Sequence, residues 1–395
     1  MRGHVRKRGR SWSIVIELPR DSETNQRHQK WHSGFATRKD AERALTEMVS
    51  RLDRGTYVIP SRQTLSEFVR DDFLPAVRGE LRPSTYHSYE RNLRLHVLPV
   101  LGERRLIDID PASLSALYGR LLASGRKDQK AGDALSQRSV AYIASILSKV
   151  LRQAVDWDRL ARNPAAVARP PKVSAQNGAR SPMVTWTSTE TAAFLKACEE
   201  AQDGYYPAWL MLVTTGMRRG ELLGLRWTDL DLDSRRASIS QTVIVVVNEG
   251  RHEVQFGSPK TERGRRAVAL DAKTVAALKS HKAAQAEIRL LLGASYRDRQ
   301  LVFCQPDGAP LHPERFSRTF ASRVRQHGMR KIRLHDLRHT HATLGLEKGI
   351  HPRIMQERLG HANVGITLGT YSHVNPAMDA NAADTISDAI FGTSS

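Results

Sequence analysis

The chain has 395 residues, more than a single ordinary hydrophobic core accommodates, so two or three domains are expected. Its 61 Lys and Arg against 41 Asp and Glu leave a formal net charge of +20. This balance favours a polyanionic partner such as nucleic acid, although a solvated basic surface without a partner has the same composition. Two cysteines, Cys198 and Cys304, exclude a disulfide framework and a four-thiolate zinc site, and they fit a reducing compartment.

The sequence pattern predicts neither a targeting segment nor a membrane-spanning one. The N-terminus is basic, but no apolar run of the kind found in signal peptides follows it. No stretch approaches the roughly 18 apolar residues that a membrane span needs. A soluble, cytoplasmic protein without a membrane partner is therefore predicted.

The first predicted domain covers residues 1–60. In the segment 12–18 the even positions are apolar and the odd positions mostly polar, which predicts a half-buried strand, and 27–31 is predicted as another. Thr37 is predicted to cap a helix with one apolar face. With 13 Lys and Arg against 7 Asp and Glu, this region is basic. Such a sheet, backed by a helix, suits the DNA major groove, but it also suits a small module with an ordinary charged face.

The second predicted domain, residues 62–168, is helical. Four amphipathic helices are indicated by apolar residues at i, i+3, i+4 and i+7 spacing, the third starting at Asp110 and Pro111. Several basic residues lie on these helices and are candidates for phosphate contacts, although a lone helical arginine is more often plain surface: Arg91, Arg94, Arg138, Lys149 and Arg152. Residues 169–183, rich in proline and small residues, are predicted to be a linker.

The third predicted domain, residues 184–395, opens with helices over 189–201 and around 208–213. A segment rich in β-branched residues, 237–247, is predicted to pair with a strand over 264–270, and the rest is predicted to be helical. Four short stretches of this domain carry residues with chemical potential.

The first two stretches supply cations. Arg218 lies in Thr-Gly-Met-Arg near the predicted start of a helix, where free backbone N–H groups favour an anion. On this stretch alone, a surface arginine paired with Glu221 is the favoured interpretation. Lys260 lies in a turn between the two β-segments, where a lysine is usually solvent-exposed.

The third stretch places His335, Arg338 and His339 on one helical face, because residues three and four apart are neighbours. A cation beside an imidazole suits binding of one phosphate and transfer of one proton. Two histidines at i and i+4 are also a zinc spacing, but the glutamate of that motif and further ligands are missing nearby.

The fourth stretch is Leu-Gly-His361, followed ten residues later by Tyr371 in Thr-Tyr-Ser-His. Gly360 is a helix stop that would turn His361 toward a cavity. A tyrosine near a C-terminus is normally a packing residue, so Tyr371 draws its interest from the other three stretches.

Together, in this order and with these separations, the motifs resemble the tyrosine recombinase, or phage integrase, family over nearly the whole chain. The resemblance implies a mostly α, multi-domain protein. It comprises an α+β arm-binding module with a three-stranded sheet, a helical, SAM-like core-binding domain, and a mainly α catalytic domain with a small antiparallel sheet and a C-terminal tail. One departure is Gly369, where many relatives have a larger or acidic residue.

The resemblance also implies residue roles. Tyr371 is the expected nucleophile, leaving a 3′-phosphotyrosyl bond and a free 5′-hydroxyl. Arg218 and Arg338 are expected to hold the non-bridging oxygens, with His361 adding a hydrogen bond. His335 is expected to take part in proton transfer from Tyr371, and Lys260 to be the general acid. Glu221 is expected to support the site from behind.

The implied partners are double-stranded DNA attachment sites, three further copies of the chain in a tetramer, and an accessory DNA-bending or excision factor. The resemblance implies integration or excision of a phage or other mobile element. No cofactor or metal is expected, since neither a nucleotide-binding glycine loop nor a two-metal acidic cluster is present in the sequence. Two alternatives remain: a type IB topoisomerase-like enzyme, and a non-catalytic DNA-binding protein derived from an integrase.

Overall fold

The computed structural model describes residues 3–17, 29–53, 62–125, 134–170, 184–248, 251–259, 264–360 and 387. The chain divides into two compact units, Met1–Ala179 and Arg180–Ser395. Each unit has its own hydrophobic cores.

The N-terminal module is a three-stranded antiparallel sheet in the order β1-β2-β3, with one helix packed against it. The elements are β1 (Gly3–Arg8), β2 (Ser11–Glu17), β3 (Gln29–Phe35) and α1 (Arg38–Asp53). Ile14 and Ile16 of β2 pack against Ala41 of α1, as the alternation in the sequence predicts. The Thr37 hydroxyl accepts a hydrogen bond from the backbone N–H of Asp40 at 3.1 Å, so the predicted helix cap is confirmed.

Residues 62–170 are helical and surround a core of leucine, valine and isoleucine side chains. The Asp110 side chain accepts a hydrogen bond from the backbone of Ser113, and Pro111 occupies the first helical position, as predicted. The elements are α2 (Leu65–Glu67), a π-helical turn (Phe68–Phe73), α3 (Leu74–Val77), α4 (Pro83–Asn92), a second π-helical turn (Leu93–Val97), α5 (Leu98–Leu101), α6 (Pro111–Ser124) and α7 (Gln137–Asp156). Short 3₁₀ turns lie at Leu106–Asp108 and Pro164–Ala166.

The second unit is built on helices around an aromatic core. Trp186, Phe194, Trp209, Phe316 and Phe320 are buried there, and the Trp209 and Phe316 rings lie 4.6 Å apart. The helices are α8 (Ser188–Glu200), α9 (Tyr206–Thr215), α10 (Arg219–Gly224), α11 (Ala272–Leu292), α12 (Pro313–Gln326), α13 (Asp336–Glu347) and α14 (Pro352–Leu359), with 3₁₀ turns at Trp227–Asp229 and Gly293–Ser295.

The described residues of the second unit also form two small antiparallel sheets. One has the order β4-β5-β8, formed by Leu230–Asp231, Arg236–Ile239 and Arg266–Ala269; the other pairs β6 (Thr242–Asn248) with β7 (Arg251–Gly257). The predicted pairing of 237–247 with 264–270 is therefore only half right. β5 pairs with β8, whereas the β-branched strand β6 pairs with β7, a polar strand that the sequence pattern did not indicate.

Among the helices in the described part of the chain, none combines the length and the apolar character needed to cross a membrane.

Candidate active site

Arg218 is positioned by a sharp turn between two helices. Helix α9 ends at Gly216, whose φ of 66° lies in the left-handed region, and Arg218 then precedes the first turn of α10. A Cβ at Gly216 would come within 2.7 Å of both His341 and Leu359, so close packing as well as backbone conformation requires glycine here. The turn places Arg218 at a helix start, as predicted.

Glu221 ties Arg218 to a second arginine, Arg266. Its Oε1 accepts a hydrogen bond from Arg218 Nη1 at 2.8 Å, and its Oε2 accepts one from Arg266 Nη2 at 2.9 Å. The Glu221 side chain is 4% exposed, yet that of Arg218 remains 42% exposed. Arg218 is thus both paired with Glu221 and open to solvent, which leaves it able to meet a phosphate.

The charge of Glu221 is stabilised in a buried position. Burial by itself would raise the pKa of this carboxyl, but the hydrogen bonds and charge of Arg266, with the charge of Arg218, outweigh it and hold the pKa below its ordinary value. The backbone N–H of Arg218 also donates to Oε2, at 3.0 Å. Glu221 is therefore a fixed anion with two arginines around it.

Arg338 comes from the first turn of α13 and is 3% exposed. Its Nη1 donates a hydrogen bond to the carbonyl oxygen of Gly216 at 2.7 Å, and its Nη2 donates to the carbonyl oxygen of Leu359 at 2.6 Å. One guanidinium therefore joins the turn that carries Arg218 to the end of α14.

Three consecutive carbonyls at the C-terminal end of α14 each accept a hydrogen bond from a different arginine. Arg266 Nε donates to Arg358 O at 2.7 Å, Arg338 Nη2 to Leu359 O, and Arg218 Nη2 to Gly360 O at 3.3 Å. The last carbonyls of a helix lack intrahelical partners and carry partial negative charge. The end of α14 therefore gathers three cations immediately before position 361.

His335 lies beside these cations in a neutral state. It immediately precedes α13, and its ring lies 5.1 Å from that of His339. Burial lowers the pKa of His335 to about 4, and the positive charges of His339, Arg338 and Arg218 act in the same direction, against the raising effect of Asp336. An uncharged imidazole at neutral pH is able to accept a proton.

Three of the six predicted catalytic residues, Arg218, His335 and Arg338, are brought together by the fold. Arg218 and Arg338 share the end of α14, and His335 is close enough to both arginines for their charges to affect its pKa. Lys260, His361 and Tyr371 lie outside the described residues. Their roles remain predictions.

The sequence analysis did not single out three residues that the structure places beside the site. Arg266 and Arg358 donate hydrogen bonds to backbone carbonyls, and His341 bonds to the Val213 carbonyl with its Nδ1 atom. The one available signal was proximity: Arg358 precedes Leu-Gly-His361 directly, and His341 lies in the same motif as Arg338.

The described residues hold no group of three or more His, Cys, Asp or Glu side chains arranged to bind a metal ion. The paired rings of His335 and His339 lie in the cationic neighbourhood of Arg338 and Arg218. The positive charges of these two arginines would repel a metal ion there.

Family models match all three regions of the chain. A model of the phage integrase family matches residues 185–378, an arm DNA-binding domain matches 4–52, and an N-terminal SAM-like domain of phage integrases matches 64–122. The fold class predicted from the sequence is thereby confirmed.

Known proteins of similar length align along most of the chain. A tyrosine recombinase XerC-like protein of Caldanaerobacter subterraneus subsp. tengcongensis is 25% identical over 388 residues, covering 95% of this chain and 96% of that protein. The ICEBs1 integrase of Bacillus subtilis is 26% identical over 317 residues, covering 80% and 81% respectively.

Solved structures share the fold. The Tn1549 transposon integrase, in complex with a circular intermediate DNA, superposes with a TM-score of 0.63 at 18% identity, over 82% of this chain and 99% of that one. A lambda integrase tetramer bound to a Holliday junction gives a TM-score of 0.52 at 18% identity, over 93% and 94%.

Proposed function

The chain belongs to the phage integrase family of tyrosine recombinases, and on that premise we propose that it cuts DNA at specific sites through Tyr371 and rejoins the strands with new partners. The observation that carries the proposal is the convergence of Arg218, Arg338 and neutral His335 at the end of α14. Two guanidinium groups and a proton acceptor are the functional groups that attack on a phosphodiester needs.

In the proposed reaction, each phosphodiester bond that is broken is replaced by another phosphodiester bond. The phenolic oxygen of Tyr371 forms a bond to phosphorus while the bond from phosphorus to the 5′-oxygen breaks. The phenol proton passes to His335, and Lys260 gives a proton to the departing 5′-oxygen. Rejoining reverses these steps with a 5′-hydroxyl from another strand. The phosphotyrosyl diester replaces a phosphodiester, so the reaction needs no nucleotide cofactor.

Arg218 and Arg338 are the proposed ligands of the non-bridging oxygens, joined by His361. A guanidinium is planar, keeps its proton at neutral pH and matches phosphate geometry. Its positive charge also favours ionisation of the tyrosine. A free tyrosine has a pKa of about 10, so ionising it at pH 7 costs about 4 kcal/mol. A cationic pocket with a nearby base supplies energy of this size.

The N-terminal module offers a basic sheet face for a second DNA contact. Alternation along β1 places His4, Arg6 and Arg8 on the face opposite the one that packs on α1. Trp31 of β3 is 41% exposed, and the Arg8 guanidinium lies 6.0 Å from the centre of its ring. We propose that this face lies in the DNA major groove, which admits a β-ribbon.

The proposed assembly is a homotetramer on two DNA sites, with exchange through a Holliday junction and with accessory DNA-bending or excision factors. The support is the likeness to the lambda integrase tetramer on such a junction. The net charge of +20 fits this partner, and association should weaken steeply with added salt because phosphate contacts release counterions.

The test uses purified full-length protein and DNA carrying its element's ends, nicked near the cut site so that the covalent intermediate cannot be resealed. Wild-type protein should form a covalent protein–DNA adduct without ATP or divalent metal. Tyr371→Phe should form none. Tyr205→Phe removes a hydroxyl from a ring packed on Trp209 and Phe316, so it is a matched control that should react normally.

Different outcomes separate the alternatives. An adduct without recombination between two sites would favour a topoisomerase-like activity. DNA binding without any adduct would favour a non-catalytic protein. Arg218→Ala should lose cleavage but keep much of the binding, because most phosphate contacts lie outside the site.

A further inference from the structure

Arg266 on β8 is an arginine whose donors are used inside the protein. Its side chain is 8% exposed. Nη1 and Nη2 donate to the Glu221 carboxylate at 3.3 and 2.9 Å, Nε donates to Arg358 O at 2.7 Å, and Nη1 also lies 3.3 Å from Gly264 O. These bonds link Arg266 to the carboxylate that holds Arg218 and to the end of α14.

Glu221 divides its oxygens between two arginines. Oε1 accepts from the Nη1 atoms of Arg218 and Arg266, and Oε2 accepts from the Arg218 backbone N–H and Arg266 Nη2. The fork of Arg266 therefore fixes the plane of the carboxylate, and that plane fixes the guanidinium of Arg218. Without Arg266, the buried carboxylate would have only Arg218 to compensate its charge, and it would draw that side chain inward.

Helix α14 and strand β8 each donate a side-chain hydrogen bond to a backbone carbonyl of the other. Arg266 of β8 donates to the carbonyl of Arg358, while Arg358 Nη2 donates to the carbonyl of Ala269 in β8 at 3.1 Å and to that of Thr214 at 2.8 Å. In sequence, Arg266 follows Lys260 by six residues and Arg358 precedes His361 by three. These hydrogen bonds therefore join the strand that follows Lys260 in the sequence to the helix that precedes His361.

From these contacts we propose that Arg266 is a positioning residue for DNA cleavage: it orients Glu221 so that Arg218 presents its guanidinium to one non-bridging oxygen of the scissile phosphate. This role rests on the proposed function. A lysine is not equivalent, because one ammonium cannot form the fork to Glu221 and the bond to Arg358 O with the same geometry.

The test measures single-turnover adduct formation on three DNA substrates. The scissile linkage is an ordinary phosphate in one, and each of the two methylphosphonate stereoisomers in the others. In each isomer a methyl group replaces one non-bridging oxygen and removes its charge. A variant that lacks the arginine that binds that oxygen should therefore lose less cleavage rate, relative to wild type, on that isomer than on the ordinary phosphate. The proteins are wild type, Arg218→Ala, Arg338→Ala, Arg266→Lys and Arg226→Lys.

On the ordinary phosphate, Arg266→Lys should cleave about 10- to 100-fold more slowly than wild type with unchanged DNA affinity, the loss expected when a positioned charge is displaced. The stereoisomer on which Arg218→Ala recovers cleavage relative to wild type should also be the one on which Arg266→Lys recovers it. The other stereoisomer should restore neither. Arg226 forms a similar two-bond pair with Asp229 away from these contacts, so Arg226→Lys should cleave like wild type.

Recovery of cleavage is measured as the ratio of the rates on a methylphosphonate and on the ordinary phosphate for the same protein preparation. The fraction of misfolded Arg266→Lys then cancels from the ratio. Equal losses on all three linkages, recovery on the isomer on which Arg338→Ala recovers, or wild-type cleavage by Arg266→Lys would each overturn the positioning role while leaving the recombinase function intact. If wild type forms no adduct on the ordinary phosphate, the proposed function falls and this role falls with it.

Discussion

His341 accepts a hydrogen bond at Nε2 from the Nε of Arg358, 3.2 Å away. The other ring nitrogen, Nδ1, therefore carries the proton and donates it to the carbonyl of Val213 at 2.8 Å. A second proton on Nε2 would point at the guanidinium. Burial, reinforced by the charge of Arg358, lowers the pKa of His341 to about 4. The neutral ring thus links α9, α13 and the end of α14.

Mild acidification should lower the stability of the second unit, Arg180–Ser395, and this ring should account for part of the loss. The unfolded chain binds a proton at His341 with a pKa near 6.5, and the folded chain only near 4. The contribution is complete above pH 6.5 and is lost as the pH falls toward 4. By pH 5 the stability lost through this ring amounts to about 2 kcal/mol. Hydrogen exchange of buried amides in α9 and α13, corrected for intrinsic rates, measures the unfolding free energy at pH 7 and pH 5.

His341→Gln keeps a donor and an acceptor but does not titrate, so its loss of stability between pH 7 and pH 5 should be about 2 kcal/mol smaller than that of wild type. His351→Asn replaces an exposed histidine at the start of α14 by another good capping residue and should retain the wild-type difference. An unchanged pH dependence in His341→Gln would show that another group is responsible.

Neutralising Glu221 should be far more damaging than neutralising a surface glutamate. Glu221→Gln leaves buried Arg266 without its counter-charge, which should cost about 3–5 kcal/mol of folding free energy. Glu199 pairs with Lys273 with both side chains about half exposed or more, so Glu199→Gln should lose far less stability than Glu221→Gln. Urea unfolding of the two variants tests the contrast, and similar losses would contradict it.

Much of this architecture is predictable from the chain because local physics and tertiary contacts agree. Thr37, Asp110 and Pro111 begin helices where capping rules place them. Arg218 immediately precedes α10, as its motif indicates. In these places a short stretch of sequence contains all the groups that decide the structure.

Elements that depend on distant partners escaped prediction. Strand β7 has the sequence RHEVQFG, whose pattern is too polar to mark a strand, and it is defined by pairing with β6. Arg266 is charged, and a charged side chain is expected on the surface. Its hydrogen bond to the carbonyl of Arg358 joins residues 92 positions apart in the sequence. Sequence spacing cannot show such a contact, because the guanidinium is buried only once α14 has packed beside β8.

Gly216 should tolerate alanine much less well than another glycine with the same backbone conformation. Gly216 and Gly328 have φ values of 66° and 63°, so alanine costs about 1–2 kcal/mol at either position for the left-handed backbone. Gly328 has open space around it, but a Cβ at Gly216 meets His341 and Leu359 at 2.7 Å. Gly216→Ala should therefore lose about 1–3 kcal/mol more than Gly328→Ala in urea unfolding. Equal losses would mean that His341 and Leu359 move aside freely.

The pH profile of cleavage should show that His335 acts as a neutral base. Its pKa is lowered to about 4 in the free protein, so the adduct-forming rate at limiting protein and DNA should stay level on the acid side until the pH nears that value. A DNA phosphate brings negative charge close to the ring and stabilises the protonated form, so the acid limb at saturating DNA should lie at higher pH.

His335→Gln should cleave about 100-fold or more slowly at pH 7 and lose this limb altogether. The folded fraction, followed by circular dichroism at each pH, corrects for the acid sensitivity that His341 causes. A limb that stays at one pH at limiting and at saturating DNA, or that persists in His335→Gln, would assign proton transfer to another group.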